Sequence, residues 1–156
     1  MKKLIMLFIF MFAMIANNNG IGRNNENDQN KLTLENVYNE LIKQGIQEPE
    51  IVLAQVYHET GNLQSKVCLT KNNILGYSSK SGYRTFNSWQ DCVTYAKKWQ
   101  DRRYDGQTDY YVFLKKIGYA TDVNYITKLK KIMKRINDMN FVKIEKEKMA
   151  DISVLK

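Results

Sequence analysis

Apolar residues at positions 34, 37, 38, 41 and 42 recur at helical spacing and stop at Gly45, which predicts a helix over Leu34–Gln44. Pro49 is placed for the first turn of a second helix, with Glu48 and Glu50 beside its positive end. That helix runs to about Thr60, where Gly61 supplies a residue able to turn left-handed. "NILGYSSKSGYRTF" reads as a β-hairpin, Ile74–Tyr77 against Tyr83–Phe86, joined by a Ser/Gly turn. Ser88 followed by Asp91 resembles a capping box, and Trp89, Cys92, Val93, Ala96 and Trp99 or Gln100 form one stripe behind it. Asp109–Ile117 forms a further helix ended by Gly118. Thr121 or Asp122 caps a last one, with the stripe Tyr125, Ile126, Leu129, Ile132, Met133 and Ile136. From Met139 the chain is charged and weakly patterned, and no element is assigned to it.

The N-terminus follows another logic. "MKK" and the 13-residue apolar run "LIMLFIFMFAMIA" have the layout of a secretory signal, so residues 1–16 are expected to direct export. The cleavage site is poor, because Met14 would stand at −3 if Ala16 stands at −1. An uncleaved anchor is the alternative, although 13 residues are short for a span. "NNNGIGRNNENDQNK", residues 17–31, is polar and aperiodic and reads as a flexible linker. The expected organisation is thus signal or anchor 1–16, linker 17–31, one domain 32–138 and a tail 139–156.

Composition narrows the partners. Apolar residues make up 44% of the 156, enough for one core. The formal charge is +8, or +6 once Lys2 and Lys3 leave with the signal, which draws an exported protein to anionic surfaces. Export argues against a nucleic-acid partner, and any membrane contact would run through the N-terminal segment. Cys68 and Cys92 could form one disulfide in an oxidising compartment; alternatively Cys92, on the apolar face of its helix, packs as a free thiol. Oligomeric state is not encoded in any readable pattern.

One side chain conflicts with its helix. Glu59 lies at i+4 from Gln55, i+7 from Val52 and i+8 from Ile51, so its carboxylate points to the packed side or into a cleft there. It also sits in the last turn, at the negative end of the helix dipole. Desolvation and dipole both raise its pKa, and a carboxylic acid held protonated near neutrality suits general-acid cleavage of a glycosidic bond. The plainer reading is a solvated helix-end glutamate. A zinc site is excluded by the single histidine, His58, and the missing HExxH pair, and no cofactor is expected. Sugars pack on aromatic faces, so Tyr77 and Tyr83, flanking the hairpin turn, are candidate wall residues; Trp89, Tyr95, Trp99 and Phe113 follow core spacing.

Four strings, in order, carry a resemblance: "LAQVYHETGNLQS", "NNILGY", "YRTFNSWQDCVTYAKKW" and "IGYATDVNYITKLKKI". Together they resemble the glucosaminidase family of peptidoglycan hydrolases, over about Ile51–Ile132. The resemblance implies a mainly α (α+β), lysozyme-like helical domain with a small β-hairpin lobe flanking a substrate groove. It implies an endo-β-N-acetylglucosaminidase acting on the peptidoglycan glycan strand. Glu59 falls on the family's acid, and Tyr119 on the tyrosine of its "YATD" turn, near the bond to be broken. Asn73 and Gly76 match the family's groove asparagine and glycine, and Tyr125 its later tyrosine, giving Asn73 and Tyr125 sugar-holding roles.

Two departures stand out. Val123 replaces a proline common in the family, and no Asp or Glu occurs from Thr60 to Gln90, so the hairpin lobe offers no second carboxylate. Hydrolysis could instead use the substrate's own acetamido group, or a water held by Tyr119. Attack by the sugar's own 6-hydroxyl would give a lytic-transglycosylase outcome. Asp105, Asp109 and Asp122 are distant candidates, with Asp122 favoured as a helix cap. A glycan-binding module that has lost catalysis is the rival from a different class.

Overall fold

The computed structural model describes residues 26–154; the apolar N-terminal segment expected to direct export lies outside them. The chain folds as α1 (Glu26–Gln29), α2 (Leu34–Lys43), α3 (Pro49–Thr60), α4 (Lys66–Lys71), β1 (Ser78–Ser79), β2 (Gly82–Tyr83), α5 (Trp89–Arg103), α6 (Tyr110–Lys116), α7 (Tyr125–Asn137) and α8 (Asn140–Val154). It is the mainly helical, lysozyme-like arrangement, with one small antiparallel hairpin.

α3 is the axis. Its residues Ile51 to Val56 are all buried, so it is enclosed on every side rather than along one stripe. α2 and α7 pack against it, while α2 also meets α5 and α8. Pro49 opens the helix with Glu48 in the left-handed region, and Gly61 ends it at φ +57°. The next two residues, Asn62 and Leu63, are left-handed too, a costly run for side-chain-bearing residues. Buried Thr60 holds this turn together. Its hydroxyl donates to Val56 O at 2.6 Å and accepts from Leu63 N at 2.7 Å, while its carbonyl takes Gln64 N and Ser65 N.

The expected cap at Ser88 forms, and Asp109, expected as the first residue of its helix, caps α6 instead; each side chain accepts a backbone N–H three residues on. The cap of α7 falls later than expected. Asn124 occupies it, and Asp122 instead accepts Asn124 N at 2.8 Å, an Asx-turn one step outside the helix.

The hairpin is shorter and shifted relative to the expected strands, with Ser78 opposite Tyr83 and Ser79 opposite Gly82. Ile74 and Leu75 are drawn into the core instead, and the expected segments share one backbone bond, Arg84 N to Tyr77 O at 2.9 Å. The cause is Asn73. Its amide donates to Tyr77 O and Arg84 O and accepts Tyr77 N, so it takes bonds a longer ladder would have made.

Two further segments dock on the body. Asn36 donates to the carbonyls of Asp28 and Lys31, and Trp89 Nε1 to Asn30 O, so the end of the expected flexible linker is pinned. α8, where no element was assigned, buries Val142 and sets Phe141 against the Tyr38 ring at 5.9 Å. Cys68 and Cys92 are both buried free thiols, so the disulfide alternative is not realised. Cys92 Sγ faces Asn73 Oδ1 at 4.0 Å, and burial pushes its pKa up to about 12.

Because the Thr60 hydroxyl makes two bonds across the left-handed turn, Thr60→Val should cost about 2 kcal/mol at nearly constant volume. Urea denaturation should show a lower midpoint with an unchanged slope, and Thr60→Ser should recover most of the loss.

Candidate active site

The end of α3, the hairpin, the last turns of α5 and the 117–122 loop line one open cavity of about 760 Å³. Glu59 enters it from the last turn of α3, half-buried. Tyr125, the first residue of α7 and only 4% exposed, donates its hydroxyl to Glu59 Oε1 at 3.0 Å. Behind it Gln55, 2% exposed, donates Nε2 to the Tyr125 hydroxyl at 3.3 Å. A helical repeat on α3 thus supplies both ends of a Gln55–Tyr125–Glu59 chain whose middle member comes from α7.

Burial raises the pKa of Glu59 above the usual 4.5, against the lowering effects of the Tyr125 bond and of His58. The phenols of Tyr119 and Tyr125 are likewise held well above their usual value, chiefly by burial, so both act as neutral hydroxyls. Gly76 closes the site. At φ +68° it presses backbone against the acid, and a Cβ there would stand 3.3 Å from Glu59 Oε2.

Aromatic groups form the wall. The Tyr119 ring lies 5.7 Å from that of Tyr125 and edge-on to Trp99 at 5.9 Å, and its hydroxyl makes a long 3.4 Å bond to Leu75 O. Tyr77 lines the cavity but packs edge-on against Tyr95 at 4.8 Å, while Tyr83, 53% exposed, stands at the rim. Such a wall suits sugar rings.

The structure therefore brings together Glu59, Gly76, Tyr77, Tyr83, Tyr119 and Tyr125. Asn73 is not among them. It is 1% exposed with its amide committed to the hairpin backbone, so a sugar-holding role gives way to positioning the loop that carries Gly76. Trp99 packs against the core as expected, on Phe113 at 5.9 Å, and also reaches the cavity, with the Arg103 guanidinium over its ring at 5.6 Å. Gln55 was visible only as a polar residue four positions before the acid on an apolar helix.

Asp122 is, beside Glu59, the other carboxylate lining the cavity among the described residues. Both its oxygens are engaged, Oδ2 by Lys128 Nζ at 2.6 Å and Oδ1 by Asn124 N. The Lys128 bond foremost lowers its pKa and keeps it ionised. Among the described residues no cluster of three or more His, Cys, Asp or Glu could hold a metal.

A helical domain of this form, with one half-buried acid in an aromatic cavity, is of the glycan-hydrolase class. The family model described as mannosyl-glycoprotein endo-beta-N-acetylglucosaminidase matches residues 34–138, and the chain belongs to this glucosaminidase family. No curated protein and no solved structure matches the chain.

Burying an ionised Glu59 costs stability, and the sign follows from its raised pKa. The native state holds the proton more tightly than the unfolded chain, so this cost is absent below pH 4.5 and grows as pH rises through the native value. Glu59→Gln should therefore be more stable than the parent protein at pH 8, with the advantage vanishing near pH 4; thermal melts across that range measure it.

Proposed function

We propose that the protein is an endo-β-N-acetylglucosaminidase that cleaves the glycan strand of peptidoglycan, with Glu59 as its general acid. The observation that carries this reading is the Glu59 carboxyl itself, raised in pKa and held by Tyr125 at the floor of an aromatic cavity. Protonated, it gives its proton to the leaving glycosidic oxygen as the C1–O bond breaks.

The group opposing the acid comes from the substrate. The hairpin lobe carries no carboxylate and Asp122 is spent on Lys128 and Asn124 N, so no free carboxylate faces Glu59 in the described cavity. The acetamido carbonyl oxygen of the N-acetylglucosamine bonds to C1 as the leaving group departs. Water then opens this ring, giving up a proton to the Glu59 carboxylate, and the acid is restored. The product is a reducing end of retained configuration. The Tyr119 hydroxyl, held only by a long bond, is the group placed to orient the acetamido. The N-terminal signal-like segment supports export to where peptidoglycan lies.

Incubation of purified peptidoglycan with the protein should release fragments ending in reducing N-acetylglucosamine, and Glu59→Gln should lower the rate by at least about 10³-fold. Binding without release would reduce the protein to a glycan-binding module, and 1,6-anhydro ends would make it a lytic transglycosylase.

The pH profile offers a second check. Activity should fall on the alkaline side as Glu59 loses its proton. Tyr125→Phe removes the bond that favours the ionised form, so that limb should move to higher pH while the acid limb stays. An alkaline limb that does not move would exclude Glu59 as the group it reports.

A further inference from the structure

A second groove, of about 630 Å³, lies on the other side of the 120–125 segment. Ala120, Thr121, Asp122 and Tyr125 line both spaces, so the two are separated only by this loop and the start of α7. The Asp122 bonds to Asn124 N and Lys128 pin that partition.

The linings differ in kind. The first cavity offers aromatic walls. The second offers aliphatic side chains at its surface, with Val123 94% and Val112 56% exposed, and two cations, Lys115 and Lys130; its two carboxylates are engaged, Asp109 by Val112 N and Asp122 by Lys128 and Asn124 N. Its one aromatic side chain not shared with the first cavity is Tyr111, whose ring already lies under Lys130 Nζ at 5.1 Å. The ring face that Lys130 covers is thereby closed to a sugar. Methyl groups and carboxylates are what such a surface accommodates.

We propose that this groove binds the peptide stem carried by the muramyl residue next to the sugar held at Glu59. The inference rests on the proposed glycan-strand substrate. In peptidoglycan that neighbour bears, through a lactyl ether, a short peptide of alanine methyls and free carboxylates. The methyls pack on Val112 and Val123, and the carboxylates meet Lys115 and Lys130. The shared loop then reads sugar on one face and peptide on the other, which makes the groove a specificity element for strands that still carry stems.

The test uses binding, so that it does not depend on cleavage. The Glu59→Gln protein is titrated with soluble glycan oligomers bearing stems and with the same oligomers after an amidase has removed the peptides. Stem-bearing oligomers should bind about tenfold more tightly. Lys130→Ala and Val123→Ser, both at exposed positions, should each cut that preference to about threefold or less and leave affinity for stripped oligomers unchanged. Equal affinity for the two ligands overturns the inference, as does binding of neither or a variant that weakens both alike. Failure of the glucosaminidase reading is separate: it is the parent protein leaving both kinds of oligomer intact.

Discussion

The bond from the Tyr125 hydroxyl to Glu59 joins residues 66 positions apart and closes α7 onto α3 at the place where the cavity begins. A carboxyl at that depth needs a partner, and a phenol held by Gln55 is well suited to the task. It satisfies one oxygen without supplying a full positive charge, so burial still dominates and the pKa stays above its usual value. An arginine or lysine in the same place would have reversed the balance and fixed the group as an anion. The choice of a neutral donor therefore bears both on the packing of two helices and on the direction in which the carboxyl's pKa moves.

The rest of the body serves to hold that bond in register. α3 can present Glu59 at its end because the turns before it are enclosed on all sides and cannot rotate toward solvent. After the acid the chain must turn away at once to leave the cavity open, and the Gly61–Leu63 left-handed run makes the turn within three residues. Thr60 offsets its cost. Asn73 does the same for the opposite wall, gripping the loop that brings Gly76 against the carboxyl.

Local physics was legible in the sequence, and long-range physics was not. The bounds of α3, the cap at Ser88 and the inward aim of Glu59 each depend on residues within a turn or two of one another. The hairpin shift depends on an asparagine side chain outcompeting a strand ladder, which β-propensity does not register. α4 escaped because it is six residues long with a single buried side chain, too short for a period to emerge. α8 escaped because its docking rests on a few residues, Phe141 and Val142 above all, in an otherwise charged stretch. Family resemblance placed the residues around the cavity, but it carried Asn73 across as a ligand contact where the structure gives it a backbone to hold.

The missing proline at position 123 shows how one local device can stand in for another. A proline there would pre-organise the turn into α7 by fixing its own φ. In this chain Val123 is almost wholly exposed and contributes little to that turn. The stiffness comes from Asp122, whose carboxylate takes Asn124 N while its carbonyl takes Tyr125 N at 3.0 Å, with Lys128 holding the other oxygen. That commitment has a chemical consequence. An aspartate used to fix the turn, and kept ionised by the lysine, is no longer free to accept a proton from an attacking water. The same bonds that place Tyr125 over Glu59 thus engage both carboxylate oxygens of Asp122, and that engagement is the support for the proposed route in which the sugar supplies its own nucleophile.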